Sequence, residues 1–191
     1  MNNSPQLMTN RCILRKFTIE DANDVLELMS DLDVNKFLPC FPLKTIEEAK
    51  EYIKKNYIES YDKENGYKYA ICLKESNKVI GYIVVSADVS HDLGYAIHKD
   101  YWYKGYAFEA GEAVLRQLKK DGFDYVSATH DVNNPNSGKV MMKLGFRYRY
   151  SYLEMWQPKN IEVTFKMYQL DFTKDCATYM GYWNRYDHFI E

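Results

Sequence analysis

The segment that most restricts the fold is a run of three strand patterns followed by a strongly amphipathic helix. Apolar side chains alternate over residues 67–73, an almost continuous apolar run covers residues 79–85, and a third strand pattern covers residues 92–97. Short runs of this kind are typical of strands. After Gly105, apolar side chains recur every three or four residues as far as Leu118, which is the period of a helix with one buried face. The chain is therefore predicted to be a mixed α/β domain.

The other elements are predicted from the same periodicities and from their end signals. Thr18 followed by Asp21, and Thr45 followed by Glu48, are capping pairs that mark the starts of two helices. The remaining predicted elements are a strand at 11–16, a strand at 125–129, a helix at 135–144, and strands at 146–156 and 161–170. The predicted order is β-α-α-β-β-β-α-β-α-β-β, without internal repeats.

Composition places the chain among single-domain globular proteins. It has 191 residues, of which 46% are hydrophobic and 27% charged, with a net charge of −2. A domain of this size needs no disulfide or metal to be stable, and the four cysteines and four histidines lack the spacing of a zinc site. The lack of a basic excess argues against a nucleic-acid partner. No apolar run is long enough for a membrane span and no signal peptide is recognised, so we expect a cytoplasmic protein without a membrane partner.

Residues 171–191 are predicted to form an aromatic-rich tail that follows a domain at residues 7–170. The aromatic and apolar residues that recur there at helical spacing are Tyr179, Tyr182, Trp183, Tyr186 and either Phe189 or Ile190. An isolated helix this short is marginal in water. The tail is therefore expected to be a packed helix, either on its own domain or across a homodimer.

Residues 102–107, Trp-Tyr-Lys-Gly-Tyr-Ala, connect the third strand pattern to the amphipathic helix. The first turn of a helix has unpaired N–H groups at the positive end of its dipole, which suits a phosphate. Gly105 permits a close backbone approach, Ala107 keeps the first turn narrow, and Lys104 adds a positive charge. The segment is neither a dinucleotide-binding GxGxxG nor a Walker A loop. Taken alone, it is an ordinary turn as readily as a phosphate site.

A second polar cluster, Asn-Asn-Pro-Asn-Ser-Gly at residues 133–138, precedes the predicted helix at 135–144. Asn and Ser at this place commonly satisfy the free N–H groups of a helix, which is one interpretation of the cluster. Its pairing with the first cluster favours a functional role.

The two clusters together resemble the GNAT superfamily of acetyl-CoA-dependent N-acetyltransferases, and within it the RimJ/RimL-like branch of ribosomal-protein N-terminal acetyltransferases. The family's pyrophosphate motif matches at Gly105 and Ala107, with Trp102 in place of the leading Arg or Gln. Tyr103 and Phe108 stand where the branch usually has Gly and Thr. The resemblance covers about residues 7–170, and its other matching residues are Leu7, Thr9, Arg11, Leu14, Arg15, Asp21, Leu93, Gly94, Tyr95, Asn134, Ser137, Val140, Met141, Lys143, Leu144, Gly145 and Phe146.

The resemblance implies a single GNAT-like domain whose mixed, mostly antiparallel sheet of seven strands splays between its fourth and fifth strands and is flanked by helices. Acetyl-CoA would lie in the gap as cosubstrate, with its pantetheine beside residues 92–97, and no metal is implied. Gly94 fits this arrangement because a glycine within a strand often marks a bulge or a close backbone approach. The implied cofactor-binding residues are Tyr95, Ala96, Ile97, Trp102, Tyr103, Lys104, Gly105, Tyr106, Ala107, Asn134 and Ser137.

Acyl transfer to an amine needs a base for the amine, a polarised thioester carbonyl and a proton for the departing thiolate. By resemblance, Ser137 supplies the proton and a backbone N–H near residues 95–97 polarises the carbonyl. Asp92 stands where the branch often has Glu, and it would act as the base directly or through a water. A solvated strand-end carboxylate is the alternative for Asp92, and His91 and His130 are further candidate bases.

The predicted function is acetyl transfer from acetyl-CoA to a primary amine. A protein N-terminus is the usual acceptor of the branch, a small-molecule amine is the alternative, and a non-catalytic acyl-CoA sensor is the rival from another class. Tyr148, Tyr150 and Tyr152 are candidates for an acceptor pocket, although strand packing explains them equally well. We expect a monomer or a homodimer.

Overall fold

Two antiparallel sheets lie side by side in the computed structural model, which describes residues 4–61 and 66–191. The strands of these residues are β1 (Leu7–Met8), β2 (Cys12–Arg15), β3 (Tyr67–Leu73), β4 (Val79–Val85), β5 (Leu93–Ile97), β6 (Tyr125–Asp131), β7 (Arg147–Trp156), β8 (Ile161–Asp171) and β9 (His188–Phe189). The first sheet has the order β1-β2-β3-β4-β5, and the second has the order β6-β8-β7-β9.

Capping residues mark the starts of some of the helices. The helices are α1 (Ala22–Ser30), α2 (Leu32–Asn35), α3 (Ile46–Ile53), α4 (Glu59–Tyr61), α5 (Tyr106–Lys120), α6 (Pro135–Lys143) and α7 (Gly181–Arg185). The backbone N–H of Thr18 donates to the Asp21 carboxylate at 2.8 Å, and the N–H of Glu48 donates to the Thr45 hydroxyl at 3.1 Å. Both predicted capping pairs are therefore present. None of the described helices is long and apolar enough to cross a membrane.

Helices cover both faces of the first sheet. Successive strand residues point to opposite faces, so Ile71 packs towards α5 whereas Ala70 and Cys72 pack towards α1 and α3. On the α5 side, Val114 and Leu118 are almost completely buried. Because α5 is held along its whole apolar stripe, its N-terminus has a fixed position beside β5.

The two sheets meet at a single point and then separate. β5 and β6 run parallel, and a bridge between Asp92 and Ser127 joins them. Past that bridge, β5 is paired only with β4, and β6 only with β8, within the described part of the chain. The facing edges of the two strands therefore leave an open gap between the sheets.

The predicted α/β class is confirmed. The predicted separation between the fourth and fifth strands is also confirmed, since these strands are β5 and β6, but some details differ. The predicted seven strands correspond to β2–β8, and the two-residue strands β1 and β9 were not predicted. The short helix α2 was also missed, because four residues are too few for a periodicity. Of the two roles considered for Gly94, a bulge or a close backbone approach, the bulge is not observed: Gly94 pairs regularly with Val84, and the irregularities lie in β4 and β7 instead.

The C-terminal segment, residues 172–191, is folded back on the second sheet of its own chain. The predicted long helix is wrong in extent, because α7 has five residues and β9 then pairs with β7. The aromatic side chains of the segment still pack on buried residues of β7 and β8. The four aromatic side chains Tyr179, Tyr182, Trp183 and Tyr186 are therefore packed but only partly buried, Phe189 and Ile190 are exposed, and the helix is shorter than the spacing indicates.

Candidate active site

A cavity of about 430 Å³ lies where β5 and β6 separate. β5 and β6 contribute Asp92, Gly94, Tyr95 and His130, and the first turn of α6 contributes Ser137. The cavity thus brings the two predicted catalytic residues, which are 45 positions apart in the sequence, to one place in the fold.

Ser137 lies in the first turn of α6, where it contacts a tyrosine from the facing strand. Its hydroxyl is 3.0 Å from the hydroxyl of Tyr95, which also donates to the Ser137 carbonyl at 3.2 Å. Burial raises the pKa of Tyr95 to about 12, so the phenol stays protonated at neutral pH. The predicted capping role is not observed for Ser137, because Asn134 occupies the N-cap position and the serine hydroxyl bonds to Tyr95.

Asp92 lies at the closed end of the gap. Burial raises the pKa of its carboxyl group to about 6, although a hydrogen bond from the Ser127 hydroxyl at 3.3 Å acts in the opposite direction. Asp88 and Glu154 add a smaller upward effect because their negative charges disfavour ionisation of Asp92. A carboxyl group that titrates near neutral pH is suited to general-base chemistry.

The two candidate histidines are in different surroundings. His130 lines the cavity, its Nδ1 is 2.8 Å from the Asp131 carbonyl, and its Nε2 has no hydrogen-bond partner among the described residues. Burial lowers the pKa of His130, which favours the neutral ring. His91 packs against Phe123 and Tyr125 and does not line the cavity. The geometry thus leaves Asp92 and His130 as candidate bases.

Residues 102–107, called the glycine loop below, lead into α5 and form its first turn, as predicted. Gly105 has a φ of +82°, a left-handed conformation that costs little only for glycine. Arg11 fixes the loop, since its guanidinium donates to the Lys104 carbonyl at 2.9 Å and to the Glu109 carboxylate at 2.7 Å. The same guanidinium lies 4.1 Å from the centre of the Tyr106 ring. This clamp holds the first turn of α5 in place; the sequence reasoning matched Arg11 to the family without giving it this role.

The other predicted cofactor residues lie around this loop and on β5. The indole N–H of Trp102 donates to the Ile97 carbonyl at 2.6 Å, while Ala96 and Ile97 are buried. The Lys104 ammonium donates to the Asp100 carbonyl at 2.7 Å. Ala107 lies in the first turn of α5. Trp102 and Lys104 therefore hold the loop together through their own hydrogen bonds.

Tyr103 joins the two motifs that the sequence reasoning singled out. Its backbone is left-handed (φ +60°), which explains why a glycine suits this position, and its side chain is 84% exposed. The side-chain amide of Asn136, in the first turn of α6, donates to the Tyr103 hydroxyl at 3.2 Å. The glycine loop and the N-terminus of α6 are thus joined by a direct hydrogen bond.

The rest of the cavity wall comes from three parts of the chain that are distant in sequence. The loop Phe37–Pro39 covers one side, and Tyr152, Glu154 and Trp156 of β7 line another. The third side is formed by Tyr182, Arg185 and Tyr186 of the C-terminal segment. Of the three β7 tyrosines that are candidates for an acceptor pocket, Tyr152 lines the cavity, whereas Tyr148 and Tyr150 do not. The C-terminal residues were not predicted to take part.

Across the two described stretches, 4–61 and 66–191, no three His, Cys, Asp or Glu side chains are grouped so that they could hold a metal ion. The functional groups that line the cavity include hydroxyl, carboxyl and imidazole groups together with aromatic rings.

The chain is similar in sequence and fold to proteins of a known family. The family model described as "Acetyltransferase (GNAT) domain" matches residues 11–147. The uncharacterized N-acetyltransferase YnaD of Bacillus subtilis is 31% identical over 160 residues, which cover 82% of this chain and 90% of that protein. An acetyltransferase of the GNAT family from Bacillus anthracis is similar in structure, with a TM-score of 0.75 and 26% identity over 88% of this chain and 99% of that one. The RimL ribosomal L7/L12 alpha-N-protein acetyltransferase in complex with coenzyme A has the same fold, with a TM-score of 0.76 and 15% identity over 87% of this chain and 98% of that one.

Proposed function

The chain belongs to the GNAT acetyltransferase family, and we propose that it transfers an acetyl group from acetyl-CoA directly to a primary amine bound in the cavity between β5 and β6. The observation that carries the proposal is the convergence of Asp92, Ser137 and Tyr95 on this cavity, beside the N-terminus of α5. Acetyl-CoA is the cosubstrate of an N-acetyltransferase of this family.

Acetyl-CoA would bind along the open edge of β5. The free N–H groups at the N-terminus of α5 suit its pyrophosphate, because an oriented helix dipole and unpaired donors favour an anion. The Arg11 clamp supports this assignment, since it holds the loop before any ligand binds. The related fold of RimL, whose structure contains coenzyme A, also supports it.

The reaction needs two proton transfers, one from the attacking amine and one to the departing sulfur. The amine nitrogen attacks the carbonyl carbon, the carbon–sulfur bond breaks, and the acetyl group leaves with the nitrogen. Asp92 takes the proton that the amine loses, directly or through a water, and Ser137 gives a proton to the sulfur of CoA. Tyr95 supports Ser137, because its hydroxyl lies 3.0 Å away and can return a proton to the serine oxygen.

For the acceptor, our first proposal is the N-terminal amine of a protein or peptide. The fold shared with RimL, a ribosomal L7/L12 alpha-N-protein acetyltransferase, supports this choice. A small-molecule amine is the second candidate, and the size of the cavity favours it, since about 430 Å³ lies within the usual range for small-molecule sites. The turn of the β7–β8 hairpin is bonded to the segment that precedes the Phe37–Pro39 loop, because Lys159 donates to the Asn35 carbonyl at 2.6 Å.

A substrate panel tests the proposed function. The protein should release CoA from acetyl-CoA only when a primary amine is present, and mass spectrometry should find that amine heavier by one acetyl group. Short peptides with free N-termini, the same peptides with blocked N-termini, and small amines separate the two acceptor candidates. Binding of acetyl-CoA without turnover on any amine would contradict the proposal and would indicate an acyl-CoA sensor instead.

A further inference from the structure

The C-terminal segment presents two tyrosine rings to the cavity. Tyr182 is stacked on Tyr152 of β7, with ring centres 4.9 Å apart and planes 14° apart, and Tyr186 is stacked on the same ring at 5.3 Å and 16°. Phe165 and Trp156 continue this aromatic surface along the sheet. These five residues, which all line the cavity, are called the aromatic wall below.

The aromatic wall lies on the acceptor side of the site. Ser137 and Tyr95 lie towards α6, where the thioester is proposed to bind, whereas Tyr152 and Tyr182 line the cavity together with Asp92, whose negative charge acts on both phenols. An amine that gives its proton to Asp92 would have its neighbouring groups against these rings.

Contacts away from the cavity hold the segment in place. The Tyr150 hydroxyl donates to the Tyr179 carbonyl at 2.8 Å, and the backbone N–H of Leu153 donates to the Asp187 carbonyl at 2.9 Å. The last residue, Glu191, forms an ion pair with Lys166. The wall is therefore anchored without a ligand, which lowers the entropy cost of binding against it.

The charged groups of this side of the cavity agree with an amine rather than an acid. Asp92, Asp131 and Glu154 line the cavity together with Tyr186. Arg185 is the cation of the segment that lines the cavity, and its guanidinium lies 5.2 Å from the centre of the Tyr186 ring. Carboxylates with aromatic faces are the surroundings that ammonium groups favour.

We propose that the C-terminal segment is part of the acceptor site and that Tyr182 and Tyr186 select primary amines that carry an aromatic or broad apolar group next to the nitrogen. The inference rests on the proposed function and adds the class of acceptor. It also assigns a role in substrate choice to residues that lie beyond the matched part of the family model, which ends at residue 147.

A pair of matched acceptors tests the proposal. Phenylalaninamide and glycinamide carry the same reacting amine and the same amide, and they differ in one benzyl group. The parent protein should have a kcat/KM for phenylalaninamide about tenfold or more above that for glycinamide, because transfer of a phenyl group from water to an apolar wall is favourable by at least that ratio.

Three variants identify the residue responsible. Tyr186→Ala should bring the two kcat/KM values within about threefold of each other, whereas Tyr186→Phe keeps the ring and should keep the preference. Phe189→Ala is the matched control, because Phe189 is a partly exposed aromatic residue of the same segment that does not line the cavity. The affinity for acetyl-CoA should be the same in all four proteins, which shows that the Ala variant is folded.

Two results would overturn the inference. Equal kcat/KM values for the two amides in the parent protein, or an unchanged preference in Tyr186→Ala, would remove the aromatic wall from the acceptor site while the proposed acetyl transfer stands. Failure to acetylate any primary amine would overturn the proposed function, and this inference with it.

Discussion

Ser137 and Tyr95 form a hydroxyl pair whose catalytic and structural roles can be separated by substitution. A serine at a helix start commonly caps the helix, but here the Ser137 hydroxyl bonds to Tyr95 from within the first turn of α6. Removal of this hydroxyl therefore takes no cap from the helix.

We expect Ser137→Ala to lower kcat by about 10²-fold, because general-acid assistance to a leaving group is worth about that much. The dissociation constant of acetyl-CoA should stay within about twofold, and the melting temperature should change little. Steady-state kinetics, calorimetry and thermal melting check the three quantities. A kcat within a few-fold of the parent would assign the thiolate proton to another group.

Tyr95→Phe tests the partner of Ser137. The change keeps the ring in place and removes both contacts of the Tyr95 hydroxyl, with the hydroxyl and with the carbonyl of Ser137. Loss of the hydroxyl–hydroxyl bond, which is worth about 1 kcal/mol, should lower kcat about fivefold. A loss as large as that in Ser137→Ala would instead make Tyr95 the proton donor, and the same kinetic measurements distinguish the two outcomes.

Asp92→Asn should remove the acidic limb of the pH–rate profile. A base works only when ionised, and the pKa of Asp92 is raised to about 6, so the parent rate should fall as the pH drops below that value.

The burial of Asp92 also affects the stability of the protein. Because the pKa is higher in the folded protein than the ordinary value of 3.8, the stabilising effect of the neutral carboxyl group is fully present below the unfolded pKa and is lost as the pH rises through about 6.

The asparagine side chain in this variant is neutral at every pH, so the melting temperature of the variant at pH 7 should equal or exceed that of the parent. Rate profiles between pH 5 and pH 9 and thermal melts at pH 5 and pH 7 measure both effects. Persistence of the acidic limb in the variant would assign the limb to another group, either His130 or the acceptor amine itself.

At the scale of single elements, two glycines allow a test of whether the glycine loop binds the pyrophosphate of CoA. Gly105 and Gly122 lie at opposite ends of α5 with φ values of +82° and +84°, and a Cβ atom at either position would meet no atom closer than 3.6 Å. Replacement by Ala should cost each protein a similar amount, about 1–2 kcal/mol of backbone strain. Gly105→Ala should in addition weaken CoA binding about tenfold, because it disturbs the amides at the helix N-terminus.

Calorimetric titration with CoA compares the two variants, and Gly122→Ala serves as the control for strain. Equal CoA affinities in the two proteins would remove the pyrophosphate from this loop.

Elements with strong periodicity or end signals were predictable, and those that depend on tertiary contacts were not. The stripe of α5 and the capping pair at Thr18 are local signals, and both are present in the structure. The aromatic residues of the C-terminal segment recur at helical spacing. Its last residues nevertheless form a strand, because β9 pairs with β7. The meeting of the Tyr95 and Ser137 hydroxyls is likewise invisible in the sequence, since it depends on how β5 and α6 face each other across the gap.

At the scale of the whole molecule, the site belongs to the junction of two sheets rather than to either of them. The resemblance over residues 7–170 predicted the splay and the residues on both of its edges. It could not predict the acceptor side, because the loop Phe37–Pro39, the β7–β8 hairpin and the C-terminal segment meet only in the folded chain. The residues proposed for the cofactor side are thus carried by sequence motifs, whereas those proposed for the acceptor side come together only through long-range packing.

This division predicts the effect of deleting residues 175–191. The deletion removes Tyr179, Tyr182, Trp183 and Tyr186 from the buried surface of β7 and β8. A net loss of about 2 kcal/mol is expected after the ordering entropy of the segment is regained, and this corresponds to a melting temperature lower by about 4–8 °C for a protein of this size. CoA affinity should stay within about twofold, because the glycine loop is held by Arg11 and α5 on the other sheet. Thermal melting and CoA titration of the truncated protein test both halves of the prediction. An unchanged melting temperature would mean that the segment contributes no packing, and a lost CoA affinity would mean that the two sides of the site do not form independently.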